Sequence, residues 1–296
     1  MSSRGNSVAK GWRAGLGSRA LVSMTGEGAF VRLYGVVAAG GFRRYTTYRV
    51  ATAAGVFTNT VFGVIVAYTY IALWDQRPNL GGYDQSQALT YVWVSQALLM
   101  TVNMFGGGFA DELVERIRTG DIAIDLYRPA DLQLWWLSAD LGRALFHFLG
   151  RGAVPLAFGA LFFDLALPTT PGTWLAFLLA VLLGVVVSFA LRFLVALSAF
   201  WLLDGAGVSS LVSIAGLFFS GMLLPLNAFP GLLGEVARAL PWSCLLQIPA
   251  DVLMGHHHGT GLLGAYGFQL GWAALLLGAG RVLQSAAVRR VVVQGG

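Results

Sequence analysis

Six stretches of this chain are apolar over lengths that bridge a lipid bilayer, and no other feature limits its fold as strongly. They run over residues 51–73, 87–109, 144–167, 172–203, 208–224 and 262–283. A transmembrane helix needs about 20 mostly apolar residues to cross the hydrocarbon core. Composition agrees: 11% of residues are charged, where a water-facing domain carries about a quarter. The expected fold class is an all-α membrane protein with six transmembrane helices.

Arginine placement orients these spans, because basic residues collect on the cytoplasmic side. The N-terminal segment holds eight basic residues, ending in Arg43, Arg44 and Arg49. The loop after the second span adds Arg116, Arg118, Arg128 and Arg143, and the C-terminal segment adds Arg281, Arg289 and Arg290. The other side holds only Arg77 and Arg238. Both termini are thus expected to be cytoplasmic, in a bacterial plasma (inner) membrane. Arg151 and Arg192 fall inside spans near the cytoplasmic ends, where long side chains can snorkel. The net charge of +5 follows topology and gives no reason to expect a nucleic-acid partner. Residues 1–32 carry five basic residues and no sustained apolar run, so no cleavable signal peptide is expected there.

Two segments are neither spans nor simple loops. Residues 20–49 are moderately apolar with spaced arginines and predict an amphipathic helix on the inner membrane surface. Residues 221–260 form an external stretch too apolar for a solvated loop, cut by Pro225, Pro230, Pro241 and Pro249. Short helices that dip into the outer leaflet and return suit it, provided they pack on protein.

Several chemistries are missing. The single lysine, Lys10, is followed by Gly11, so the Gly-Lys-Ser/Thr phosphate cradle of a P-loop is absent. No serine sits in a Gly-x-Ser-x-Gly elbow. His147 is the only histidine inside a span, and His256, His257 and His258 read as a polar turn. Cys244 is the only cysteine, which excludes an internal disulfide. The chain is expected to be non-catalytic and to hold no cofactor or metal.

The loop after the second span is unusually charged: seven acids and four arginines lie between Asp111 and Arg143. Residues 110–118 pattern as a short helix with Leu113 and Ile117 on one face. A structured, charged segment of this kind suits docking of a soluble partner; a solvated loop is the plainer reading.

The run Ile117-Arg118-Thr119-Gly120-Asp121, followed by Leu126-Tyr127-Arg128-Pro129, resembles the R-x-G … L-x-x-P signature of ABC-2 type transporter permeases. Phe219-Ser220-Gly221 with Pro225, then Phe229-Pro230, Leu240-Pro241-Trp242 and Pro249, resembles the same family's SG…P…FP…LP stretch after the fifth span. The resemblance covers about residues 20–285 and is strongest to the drug, daunorubicin or viologen exporter branch.

It implies a cytoplasmic tail over 1–24 and one transmembrane domain over 25–290. Within that domain a connecting helix occupies 25–48, a coupling helix 111–121 and a re-entrant cap 222–250. Glu112, Glu115, Arg116, Arg118, Gly120 and Asp121 would contact the ATPase, with a second contact at Asp204. Met222, Pro225, Phe229, Pro230, Pro241, Trp242 and Pro249 would form the external gate. The implied partners are two copies of an ABC ATPase subunit carrying ATP and Mg²⁺, and a second permease, identical or related. Membrane lipid and a small amphipathic or drug-like export substrate complete the set.

Asn59, flanked by Gly55 and Gly63 on one helical face, suits either helix packing or a dimer or pathway face. Gln96, Met100 and Asn103 lie along one face of a continuous second span and suit either a pathway or bonds to a neighbouring helix. Arg143, His147 and Arg151 recur every four residues and suit a structural role, with Asp140 as a partner. The competing classes are an ATP-independent carrier or channel, and a permease for lipid or polysaccharide. A carrier calls for charges near the midplane or two matching halves, and neither is evident.

Overall fold

In the computed structural model, residues 27–202 and 206–294 are described, and they are helical with no strand among them. The helices in chain order are α1 (Glu27–Thr46), α2 (Arg49–Gln76), α3 (Gln85–Leu98), α4 (Phe109–Thr119), α5 (Ile122–Tyr127), α6 (Leu132–His147), α7 (Ala153–Phe162), α8 (Pro171–Leu197), α9 (Ala206–Phe219), α10 (Gly231–Ala239), α11 (Gln247–Leu253) and α12 (Thr260–Gln294). A π-helical turn over Phe148–Gly152 joins α6 to α7, so Leu132–Phe162 is one uninterrupted helical rod. That rod, α2, α8 with its 3₁₀ extension, and α12 are the four helices among the described residues that are long and apolar enough to cross a membrane.

Two of the six predicted spans are shorter than expected. α9 has 14 residues. The stretch over 87–109 does not form one helix: α3 starts on an Asp84–Gln87 capping box and ends at Leu98. The chain then turns through residues 99–107, with Asn103 at φ 52° and Gly106, Gly107 and Gly108 all at positive φ. Three successive glycines make that left-handed path cheap. The carbonyls freed at the break also find donors: Arg143 reaches Met100 O at 2.7 Å and Thr101 O at 2.9 Å, and the Ser188 hydroxyl bonds to Val102 O. Apolarity alone reports burial, and α3 is buried on every side from Ala88 to Leu98. It is a central packing post rather than a lipid-facing rod.

The third predicted span also shifts. Its helix begins at Leu132, where Asp131 accepts from Leu134 N as an N-cap, and it ends at Phe162 rather than 167. The sixth runs on to Gln294, past the predicted 283.

α1 packs along the first half of α6. A Cβ on Gly142 would lie 1.9 Å from Ala38 O, and one on Gly41 would lie 2.2 Å from Ala139 O. Only paired glycines permit backbones this close. The segment between α9 and α12 folds inward: Cys244, Leu245 and Leu246 are buried, and Cys244 O would lie 2.7 Å from a Cβ on Gly184, halfway along α8. Gln269 of α12 donates to both Ala180 O and Cys244 O at 3.0 Å. Its buried amide thus satisfies the carbonyls of two buried residues. The bundle has two distinct ends: a charged end bearing α4 and α5, and a cap end bearing α10 and α11.

Candidate coupling surface and transport cleft

α4 is short and strongly two-faced. Phe109, Ala110 and Leu113 are buried against Trp136, Phe189 and Phe193, while Asp111, Glu115, Arg118 and Thr119 are exposed. Gly120, at φ 84°, ends the helix in the left-handed conformation that favours glycine. α5 follows with Ile122 and Asp125 buried and with Ile124 and Tyr127 exposed, Tyr127 at 91%.

The predicted coupling residues divide by role. Arg116 turns inward: it bonds Asp125 at 3.0 and 3.2 Å, nears Glu112 at 3.5 Å, and lies 5.9 Å from the Trp136 ring centroid. Glu112 also takes Arg44 of α1 at 2.7 Å, and that bond raises the guanidinium's pKa above its ordinary value. These two residues fasten α4 to α5, α6 and α1. Glu115, Arg118, Gly120 and Asp121 remain on the outer surface, beside Ile124 and Tyr127. Asp204 lies outside the described residues.

Behind α4 a cleft of about 690 Å³ opens between α4, the end of α8 and α9, lined by Asp111, Glu115, Arg118, Ser209, Ser210 and Ser213. A narrower recess shares Ser209 and Ser213 with it and runs past Asn103 and Arg192 to Trp242 and Leu245 of the inward-folded segment. Asn103 therefore lies on this route, but from the turn at its left-handed φ. Met100 faces a neighbouring cavity. Gln96 and Asn59 face each other instead: Asn59 donates to Gln96 O at 3.4 Å, and both are buried. The Gly55–Asn59–Gly63 face of α2 thus packs within the chain, with Gly63 against Trp93. The opposite face, with Phe57, Phe62, Ile65 and Tyr68, is exposed. The four residues expected on one pathway or dimer face occupy three different environments.

The polar centre of the charged end was only half legible in the sequence. Asp140 accepts from Arg143 at 2.6 Å and from Arg192 at 2.7 Å, and all three are buried. Arg192 does not snorkel; it turns into the bundle, 4.8 Å from the Phe109 ring centroid. A lone arginine in an otherwise apolar span must find a buried acid, and Asp140 was the available one.

At the cap end a second buried group was not foreseen. The Tyr83 hydroxyl donates to Asp251 Oδ1 and accepts from Asn227 at 2.6 Å and Gln247 at 2.7 Å. Gln247 also donates to Asp251 at 2.8 Å and accepts from Tyr91 OH at 3.1 Å and Leu226 N at 2.7 Å. Burial, then the neighbouring Asp251 charge, holds the Tyr83 phenol far above its ordinary pKa. Burial likewise raises Asp251. Of the predicted gate residues, Pro241 and Pro249 are buried, Met222, Pro225 and Trp242 pack in the interior or at its edge, and Pro230 is exposed. Phe229 lies 5.2 Å from Phe218 of α9, ring to ring.

Four bilayer-length apolar helices among the described residues, with a charged two-helix projection at one end, define a multi-pass helical membrane protein. The chain belongs to the ABC-2 transporter family: a family model described as ABC-2 family transporter protein matches residues 56–295. It is thus a permease of an ABC transporter, a membrane subunit that works with an ATPase partner. No curated protein and no solved structure matches the chain.

Proposed function

We propose that this chain forms half of the membrane pathway of an ABC exporter and couples to a separate ATPase subunit through α4 and α5. The observation that carries the reading is the composition of that projection. Glu112 and Arg116 make ion pairs that tie α4 to its neighbours, and Glu115, Arg118, Asp121, Ile124 and Tyr127 are exposed on its outer side. A large exposed aromatic ringed by charges marks a contact site. Anchored to α1 and α6, it transmits a push from the ATPase to the bundle instead of bending away.

In this reading α9 and the short, broken α3 count as spans, giving six, with both termini on the cytoplasmic side of a bacterial inner membrane. α1 lies along the inner leaflet. The segment over 222–250 is a re-entrant external gate. The apolar faces of α2 and α9, including Phe62, Leu211 and Ile214, cover each other between two permeases. Closing of an ATP- and Mg²⁺-loaded ATPase pair draws the two α4–α5 projections together, and an amphipathic, drug-like compound leaves along the serine-lined cleft toward Trp242.

Co-purification tests the coupling directly. The tagged chain is expressed with its neighbouring genes and isolated in mild detergent, beside Arg118→Glu and Tyr127→Ala. The expected result is an ATPase subunit retained by the wild-type chain and depleted in both variants. Purification alone under every condition would move an ATP-independent carrier or channel ahead.

A further inference from the structure

The Arg143, His147 and Arg151 ladder on α6 is only partly used by the bundle. Arg143 is fully engaged with Asp140 and two carbonyls. Arg151, two turns along the rod on the π-helical segment, has no ion pair among the described residues, and its Nε is buried without a hydrogen-bond partner. His147 is 6% exposed, and its Nδ1 is likewise buried and unpartnered. Both side chains line a cavity of about 300 Å³ with Tyr45, Tyr48 and Thr52, between the end of α1, the start of α2 and α6.

The charges around this cavity do not balance. Asp140 is taken up by Arg143 and Arg192, and Arg151 has no carboxylate partner among the described residues. Buried charge at a membrane depth is costly unless paired. The site is also shaped for the arginine: a Cβ on Gly55 would lie 1.9 Å from Arg151 Nη2, so glycine there leaves the guanidinium its place. π-helical turns recur at functional positions, and this one carries Arg151.

Thr52, in the cavity wall, also lines a neighbouring groove of about 670 Å³ bounded by Arg49, Val56, Phe57, Thr60 and Phe146. A cationic chamber beside an apolar groove at the inner membrane surface matches an acidic lipid in both charge and greasiness. We propose that this cavity is a binding site for an anionic phospholipid. The headgroup phosphate pairs with Arg151 and takes a hydrogen bond from His147, and an acyl chain lies against Val56, Phe57 and Phe146. The bound lipid supplies the counter-charge that the protein lacks. The site rests on the membrane placement proposed above, not on the identity of the exported compound.

Native mass spectrometry of the full chain released from mixed phosphatidylcholine–phosphatidylglycerol nanodiscs tests this. The wild-type chain should keep phosphatidylglycerol in preference to phosphatidylcholine. Arg151→Gln should reduce that retention roughly tenfold, as expected for loss of one charge-assisted contact. Gly55→Ala should reduce it too by displacing the guanidinium. Thermal melting in lipid-free detergent controls for folding: Arg151→Gln, which removes an unpaired charge, should melt no lower than wild type. Added phosphatidylglycerol should raise the melting temperature of wild type only. Equal retention of the two lipids, or equal retention by Arg151→Gln, overturns the proposal. So does an equal melting shift from inorganic phosphate alone, which would assign the site to a free anion. None of these readouts needs an ATPase or transport, so their failure would leave the exporter reading standing.

Discussion

Asp140 and Tyr83 occupy equivalent places at opposite ends of the bundle, each a buried polar hub that ties several segments together. Their chemistry differs. Asp140 joins α6 to α8, and through Arg143 to the chain break after α3, with a full charge against two guanidiniums. Tyr83 joins the loop after α2 to the cap with hydrogen bonds to Asn227, Gln247 and Asp251. A charged hub is expensive to dissociate, because each part is left as an unpaired ion in a dry interior. A hydrogen-bonded hub opens stepwise at lower cost, since each broken bond is modest in net energy. This asymmetry suits the coupling and gating proposed above.

The largest test breaks the charged hub. Asp140→Ala leaves Arg143 and Arg192 buried without their acid and should cost about 3–5 kcal/mol, the usual penalty for removing one partner of a buried pair. Thermal or denaturant melting in detergent reads it. A double variant that also replaces Arg192 with Met should recover a good part of the loss. Without such recovery the hub would not be held together by pairing.

At the cap end the matching test is Gln247→Leu. It strands the buried Leu226 N–H and removes partners from Tyr91, Tyr83 and Asp251. An unsatisfied buried group costs about 1–3 kcal/mol, so this variant should be milder than Asp140→Ala. Hydrogen exchange should localise the loosening to 222–254. Global unfolding at the scale of the first variant would erase the contrast between the ends.

These two hubs also show where the amino-acid sequence speaks and where it is silent. Apolar run length located the long helices, because burial in lipid needs only composition. The glycine at 120, the charges of α4 and the prolines of 222–250 marked a short helix and an interrupted segment by local rules. The break after α3 escaped because 87–109 is mostly apolar and carries no charge, and a buried post and a lipid-facing span look alike in composition. What ends α3 is the left-handed run through Asn103 and Gly106–Gly108 together with Arg143, 40 residues further on. Arg192 reads in the sequence as a charge that snorkels to the inner surface; its inward turn to Asp140 depends on how α8 is rotated against α6. Tyr83, Asn227, Gln247 and Asp251 carry no spacing rule; only the folded cap brings them together.

Acidity separates the two ends further. Burial raises Asp251 in the folded chain, so the native state binds its proton more tightly than the unfolded chain does. Stability from that group is therefore complete below the ordinary Asp value, about 4, and is lost as pH rises through the folded value. The groups facing it are Tyr83, Tyr91, Gln247, His256 and His257; the hydrogen bonds from Gln247 and Tyr83 oppose the rise, and the two histidines do so to a lesser degree. The cap end should thus gain protection from hydrogen exchange as the medium is acidified toward pH 4, and Asp251→Asn should remove that gain. An unchanged slope in the variant would move the titration to another group.

The smallest effect is expected where a charge is most visible. Arg44 of α1 and Glu112 of α4 pair at 2.7 Å, yet their side chains are 65% and 31% exposed. Exposed pairs contribute about 0–1 kcal/mol and weaken with salt, so Arg44→Ala should barely move the melting temperature, and the difference should vanish in high salt. Its consequence is mechanical. Without this tie α4 is still held by Phe109, Leu113 and the Arg116–Asp125 pair, but its ion pair with α1 is gone. ATPase co-purification should then persist while substrate-stimulated ATP hydrolysis falls. Loss of co-purification would place Arg44 in the contact itself. A large drop in melting temperature would show that the charged end depends on its surface pairs as much as on Asp140.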